Sequence, residues 1–308
     1  MEKFGANKII KEHIHETDLC TYFVGFDLTD SGKNEYRMDR LVQLLTSVIP
    51  EYAFGHNNVS SSKLVEYLTD AAKAIYSIDV FQKVRDIYSN GGLIEDSVAD
   101  RYLRRGEFGE LILHLLLRDF HDTIPLISKI YFKDSLGTTV HGFDAVHINP
   151  EERTLWLGES KIYTDGEKGV NALIGDIKEH ITSNYLDSEF AIIKRKIENV
   201  TNIPEIDYWH NILNKSTTLR EKFQNITIPL LCVYESNNFT KYNDEINEFI
   251  EDYEKEVRKL KIFFDDNNDH PLKTSLNIIL LLFPVKSKKE LVARLHKNLS
   301  LMQEIGNY

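Results

Sequence analysis

The sequence predicts a mixed α/β fold: a mixed central sheet flanked by helices, with an N-terminal helical lobe. Three observations predict it. Residues 139–163, TVHGFDAVHINPEERTLWLGESKIY, read as two β-rich runs joined by the turn-forming Asn149-Pro150-Glu151-Glu152. Two further apolar runs, at 226–235 (ITIPLLCVYE) and 275–285, have strand length. Helical periodicities lie between and after these runs, and strands alternating with helices behind an initial hairpin give a sheet between helical layers.

Taken in order, residues 1–16 are polar with little periodicity and are expected to fray. DLCTYFVGFDL at 18–28 reads as a strand, closed by Thr29-Asp30-Ser31-Gly32. A helix is expected over 34–49, with Met38, Leu41, Val42, Leu45 and Val48 at helical spacing and Pro50 marking its end. Ser60, Ser61 and Ser62 can cap a second helix that runs to about Tyr88, and Asn90-Gly91-Gly92 then breaks the chain. This divides the protein into a lobe at 1–90 packed on a core at 91–308. The helix over 98–120 is unusually apolar, with a polar stripe of Glu107, Glu110, His114 and His121. The first core strand follows at 124–132. After the hairpin come a helix over 170–186, a polar helical insertion at 187–224 interrupted by Pro204, the strand at 226–235, an amphipathic helix over 242–264, the strand at 275–285 and a last helix over 288–304.

Composition narrows the function. No apolar run reaches the roughly 18 residues that span a membrane, and the N-terminus lacks the charged-then-apolar pattern of a secretory signal. Cys20 and Cys232 have no CxxC or CxxH partner, so spacing supports neither a zinc nor a disulfide framework, and a reducing cytoplasm is expected. The net charge of −11 opposes unaided binding to phosphate backbones. The basic clusters Arg101-Arg104-Arg105, Lys194-Arg195-Lys196 and Lys286-Lys288-Lys289 read as solvated helix faces, and Lys168 and Lys178 as surface residues within reach of a phosphate. No GxxxxGK[ST] loop occurs, which argues against a nucleotide-hydrolysing motor.

The chemistry concentrates in the hairpin. If residues whose numbers sum to 303 face each other, Ile148 pairs with Leu155, Val146 with Leu157 and Asp144 with Glu159. Alternation then puts Asp144, Glu159 and Lys161 at the charged end of an otherwise apolar face. The other face carries Phe143, Ala145, Trp156 and Ile162, so both sides are expected to be covered. A Glu-x-Lys on a surface hairpin is commonplace, but packed flanks place this trio at the rim of a core, where charged groups mark sites. Directly opposed carboxylates repel, a divalent cation between them removes the penalty, and oxygen ligands suit Mg²⁺ or Mn²⁺.

Gly142-Phe143-Asp144 followed by Gly158-Glu159-Ser160-Lys161, after a helix bearing Glu107-Phe108-Gly109-Glu110, resembles the PD-(D/E)xK nuclease superfamily. The match covers residues 100–285; the motif's leading proline is absent, and Gly142 or Phe143 stands there. More narrowly, the whole chain is similar to the HamA family, nuclease subunits of Hachiman anti-phage defence. The resemblance implies a restriction-endonuclease-like core and Mg²⁺-dependent hydrolysis of DNA phosphodiesters. It implies that Asp144 and Glu159 ligate the metal, Ser160 offers a backbone carbonyl, and Glu110, preferred to Glu107, holds a metal-bound water. Lys161 would orient or help deprotonate the attacking water, and His114 would lie behind the site or in the core. The implied partners are DNA and an ATP-driven helicase, HamB, that holds the nuclease latent. A non-catalytic helicase-binding subunit and a hydrolase of small phosphoesters are the competing readings, and the presence of all three hairpin groups favours the enzyme.

Overall fold

The computed structural model describes residues 2–55, 63–75, 106–127, 142–197, 204–214 and 216–305. Nine strands occur among them: β1 (Ile10–His15), β2 (Leu19–Val24), β3 (Phe26–Leu28), β4 (Asn34–Tyr36), β5 (Ile124–Pro125), β6 (Ala145–Asn149), β7 (Thr154–Ile162), β8 (Ile226–Glu235) and β9 (Asn277–Val285). Seven form one mixed sheet in the order β1-β2-β9-β8-β7-β6-β5, while β3 and β4 pair separately. β2, β9, β8 and β7 run parallel to one another, and the two edges are antiparallel. Parallel strands need cover on both faces and therefore read as continuous apolar runs. β8 is such a strand, buried from Ile226 to Tyr234.

The described helices are α1 (Met38–Phe54), α2 (Leu64–Ile75), α3 (Glu107–Phe120), α4 (Gly166–His180), α5 (Ser183–Ile197), α6 (Ile206–Ile212), α7 (Leu219–Phe223), α8 (Asn238–Lys241), α9 (Asn247–Asn267) and α10 (Lys288–Ile305). α3 lies on one face of β7 and is backed by α1, which packs in turn on α2 and α10. α4 covers the opposite face at β7 and β8 and is backed by α9. The approach of α3 is close: a Cβ on Gly158 would meet Leu113 Cδ2 at 2.8 Å and Pro229 Cγ at 3.2 Å, so a side chain at that position of β7 would force its neighbours to shift. Among the described residues, no helix is long and apolar enough to cross a membrane.

The hairpin has the register that alternation predicts, with Val146 opposite Leu157 and Ile148 opposite Leu155. Its turn is fixed by Asn149, whose side-chain oxygen accepts the backbone N–H groups of Glu151 and Glu152, each at 3.0 Å.

Three expectations need correction. Residues 1–16 do not fray: Ala6–Lys8 form a helical turn and β1 is an edge strand. The tie is tertiary, because the buried Asp119 carboxylate accepts N–H bonds from Phe4 at 2.9 Å and Ala6 at 2.7 Å. Pro50 lies inside α1, which starts at Met38 and runs on to Phe54. Burial of Leu45, Val48, Ile49, Tyr52 and Ala53 along one face holds the helix despite the lost N–H, and Gly55, with φ 71°, ends it. The helix expected at 170–186 is two helices: α4 begins where Asp165 accepts the Lys168 N–H, ends at His180, and α5 restarts at Ser183.

β1 and β2 lie within the central sheet itself. The proposed boundary at Asn90-Gly91-Gly92, the cap at Ser60–Ser62 and the Arg101-Arg104-Arg105 cluster fall outside the described residues, as do most of the helix to Tyr88, residues 98–105 of the next helix and 128–132 of the first core strand.

Candidate active site

β7 presents two faces to two helices, and the site is built across its end. Ser160 and Ile162 point toward α3, where a Cβ on Gly109 would lie 3.2 Å from Ser160 Oγ. The alternate residues Glu159 and Lys161 belong to the α4 face. There the Glu159 Oε1 lies 2.7 Å from His180 Nδ1, and the Lys161 ammonium lies 2.5 Å from Asp176 Oδ2. Asp176 and His180 are four residues apart and so share one side of α4. His180 is also stacked on Tyr185 of α5, with ring centroids 4.5 Å apart and planes within 9°.

Asp144 sits at the bend before β6, where strict alternation no longer sets its direction. Its Oδ2 accepts both the Ser160 N–H at 2.9 Å and the Ser160 hydroxyl at 2.8 Å. Ser160 therefore acts through its side chain and N–H, and the bend carries Asp144 around the sheet end between the two faces. Glu110, one turn into α3, is buried and accepts the Tyr52 hydroxyl of α1 at 2.5 Å. Glu107, nearer the helix start, is more exposed.

The electrostatics follow from this crowding. Asp144 is pushed well above the usual carboxylate range by burial, then by the charges of Glu110 and Glu159, against the hydrogen bonds from Ser160. Burial also raises Glu159, which is 4% exposed, and the bond to His180 only partly offsets it. Burial alone would lower the Lys161 ammonium, but Asp176, Asp144 and Glu159 outweigh it and raise it. His180 is raised by its bond to Glu159. The result is a crowded acidic pocket in which Asp144 and Glu159 are both pushed toward their neutral forms, Asp144 the further.

A second polar layer runs behind Asp144. Glu51, His114, His147 and Thr123 form a chain of contacts at 3.2, 3.1 and 2.9 Å, and Arg118 donates to Glu51 at 2.6 Å. Burial lowers both imidazoles, His147 well below its ordinary value. His114, His147, Tyr52 and Asp144 line one small pocket. His114 is thus a buried hydrogen-bonding residue beside the site.

The oxygens of Glu110, Asp144 and Glu159 do not all lie within 4.8 Å of one another. Asp144 and Glu159 each engage a protein donor through one oxygen, Oδ2 and Oε1, which leaves Oδ1 and Oε2 outside these bonds. The all-oxygen, like-charged donor set fits a hard cation such as Mg²⁺. Elsewhere, Lys178 is paired with Asp269 at 2.6 Å and Lys288 lies over the Tyr163 ring at 5.9 Å.

Sequence reasoning missed Tyr52, Asp176 and His180. The Asp-x-x-x-His spacing on the helix after the hairpin was a usable signal for the last two. Nothing local marks Tyr52, which reaches Glu110 from 58 positions away.

The model of the HamA family matches residues 4–299 of the 308-residue chain. The chain belongs to the HamA family. The match takes in every residue of the site, from Tyr52 to Tyr185, and HamA membership is consistent with a part in anti-phage defence. No curated protein matches this HamA chain.

Proposed function

We propose that the chain is a Mg²⁺-dependent DNA endonuclease, the effector of an anti-phage complex governed by a helicase partner. The observation that carries the reading is Asp144, forced toward neutrality between Glu110 and Glu159 with Lys161 close by. Such a cluster costs stability unless a cation shares it. Asp144 and Glu159 would hold the ion, with Glu110 as the third carboxylate. A bound Mg²⁺ would lower the pKa of a water and neutralise phosphoryl oxygens.

The chain's own groups do the rest. Ser160 fixes the Asp144 carboxylate by two hydrogen bonds, and His180 and Tyr52 orient Glu159 and Glu110. Asp176 holds the Lys161 ammonium beside the carboxylates, where it orients the attacking water and stabilises charge gathering on the phosphate. The low net charge for a DNA-binding protein supports a partner that delivers the substrate. The test is plasmid nicking by the chain, alone and with its helicase, in Mg²⁺ and in chelator. Mg²⁺-dependent nicking that Glu159→Gln and Lys161→Met abolish is expected. Undiminished nicking in both variants would remove the hairpin from the mechanism, and no nicking by the parent in Mg²⁺, alone or with its helicase, would favour the alternative, a non-catalytic subunit that binds the helicase.

A further inference from the structure

A second group of donor atoms lies on the β1–β2 edge, apart from the carboxylate site. The register of these strands slips between Glu12 and Ile14, so that Glu12 faces Tyr22 while His15 faces Cys20. Without the slip, residues three apart on one strand would point to opposite faces. With it, Glu12 and His15 share the face that carries Cys20 and Tyr22.

The carboxylate, imidazole and thiol of Glu12, His15 and Cys20 then have ligand atoms all within 4.8 Å of one another, a cluster no other group of His, Cys, Asp or Glu matches among the described residues. Their burial is graded, from the buried Cys20 through Glu12 to the exposed His15, so an ion has a path from solvent. A fourth nitrogen donor stands beside them. The His121 ring, just past the end of α3, lies 6.0 Å from that of His15, and its Nε2 is 2.8 Å from the Tyr22 hydroxyl.

We propose that Glu12, His15 and Cys20 form a Zn²⁺ site, with His121 as the fourth donor. Mixed sulfur, nitrogen and oxygen donors select zinc over the hard cations that suit the carboxylate site. Tetrahedral zinc holds such donors about 3.3–3.8 Å apart, so the three grouped donors would draw in around the ion and the His121 ring would turn from the Tyr22 hydroxyl to complete the shell. The ion would clip the edge strand to its neighbour and to the end of α3, the helix that carries Glu110. Cys20 has no sequence neighbour of metal-binding spacing, so only the strand pairing reveals the site.

The test is titration of the full-length chain, purified through chelator, with Co²⁺ as a spectroscopic stand-in. A thiolate-to-cobalt ultraviolet band is expected at a single equivalent and should disappear on adding Zn²⁺. Cys20→Ser should lose the band, and His15→Ala and Glu12→Gln should bind at least roughly tenfold more weakly, since even outer partners of a metal site cost about that much. His15 is exposed, so its variant should fold as the parent does, which thermal melting checks. Glu159→Gln should keep the band, which separates this site from the carboxylates. Absence of the band in the folded parent, or its survival in Cys20→Ser, would overturn the proposal.

Discussion

Replacing Asp144 by Asn should stabilise the protein in chelator while abolishing the proposed Mg²⁺-dependent nicking. The amide oxygen can still accept both bonds from Ser160, so the change removes the charge and little else. Because the folded pKa is raised, the Asp144 carboxyl holds its proton to higher pH in the folded chain than in the unfolded one. Its contribution is therefore most favourable at low pH and is lost as pH rises from about 4 through the folded value. At pH 7.5 the cost is capped by that of keeping the group protonated, about 1.4 kcal/mol for each pH unit above the ordinary value, or about 5 kcal/mol. Partial exposure of the residue discounts this, so the gain lies below that ceiling. For a chain this long each kcal/mol gained raises the melting temperature by about 2 °C. Melting in chelator should show the gap at pH 7.5 and its near closure at pH 4.5. Added Mg²⁺ should raise the parent's melting temperature and leave the variant's unchanged. A variant no more stable than the parent at pH 7.5 would refute the crowding argument.

Glu110→Gln should impair Mg²⁺-dependent nicking severely, with Glu107→Gln mild, and the reverse order would mean that Glu107 is the helix carboxylate. Tyr52→Phe and His180→Asn should keep the fold and lower Mg²⁺ affinity by about 10–100-fold in a metal titration of nicking, because both orient a ligand. Glu51 is held down to about 2 by His114 and Arg118 against the effect of burial, so its stabilising contribution exists above pH 4.5 and is lost as pH falls toward 2. Glu51→Gln should accordingly cost about 3 kcal/mol in denaturant unfolding at pH 7 and much less at pH 3. With the helicase, plasmid cleavage should require ATP, and unrestrained cutting by the complex without ATP would remove the gating idea.

The hairpin was legible because two local signals agree: alternation with a packed face, and a turn that Asn149 closes by itself. β8 and β9 were legible as apolar runs of strand length. The first strand was not, because Asp119 and the pairing with β2 hold it, and neither shows in a polar stretch read alone. Pro50 misled for the same reason, since burial on α1 outweighs a local breaker. In the site, Glu159 and Lys161 could be placed by parity, but their partners on α4 could not. Asp144 left its strand's alternation at the bend, and only the Ser160 bonds show where its carboxylate lies.

The most direct measurement is an anomalous-scattering map from crystals of the chain soaked with Mn²⁺. The account predicts a peak bound by Asp144 and Glu159 at about 2.0–2.2 Å, with Glu110 beside it or bridged by water, and no such peak in Asp144→Asn. A map with no metal at these carboxylates, from protein that cleaves plasmid in the same Mn²⁺ buffer, would contradict it.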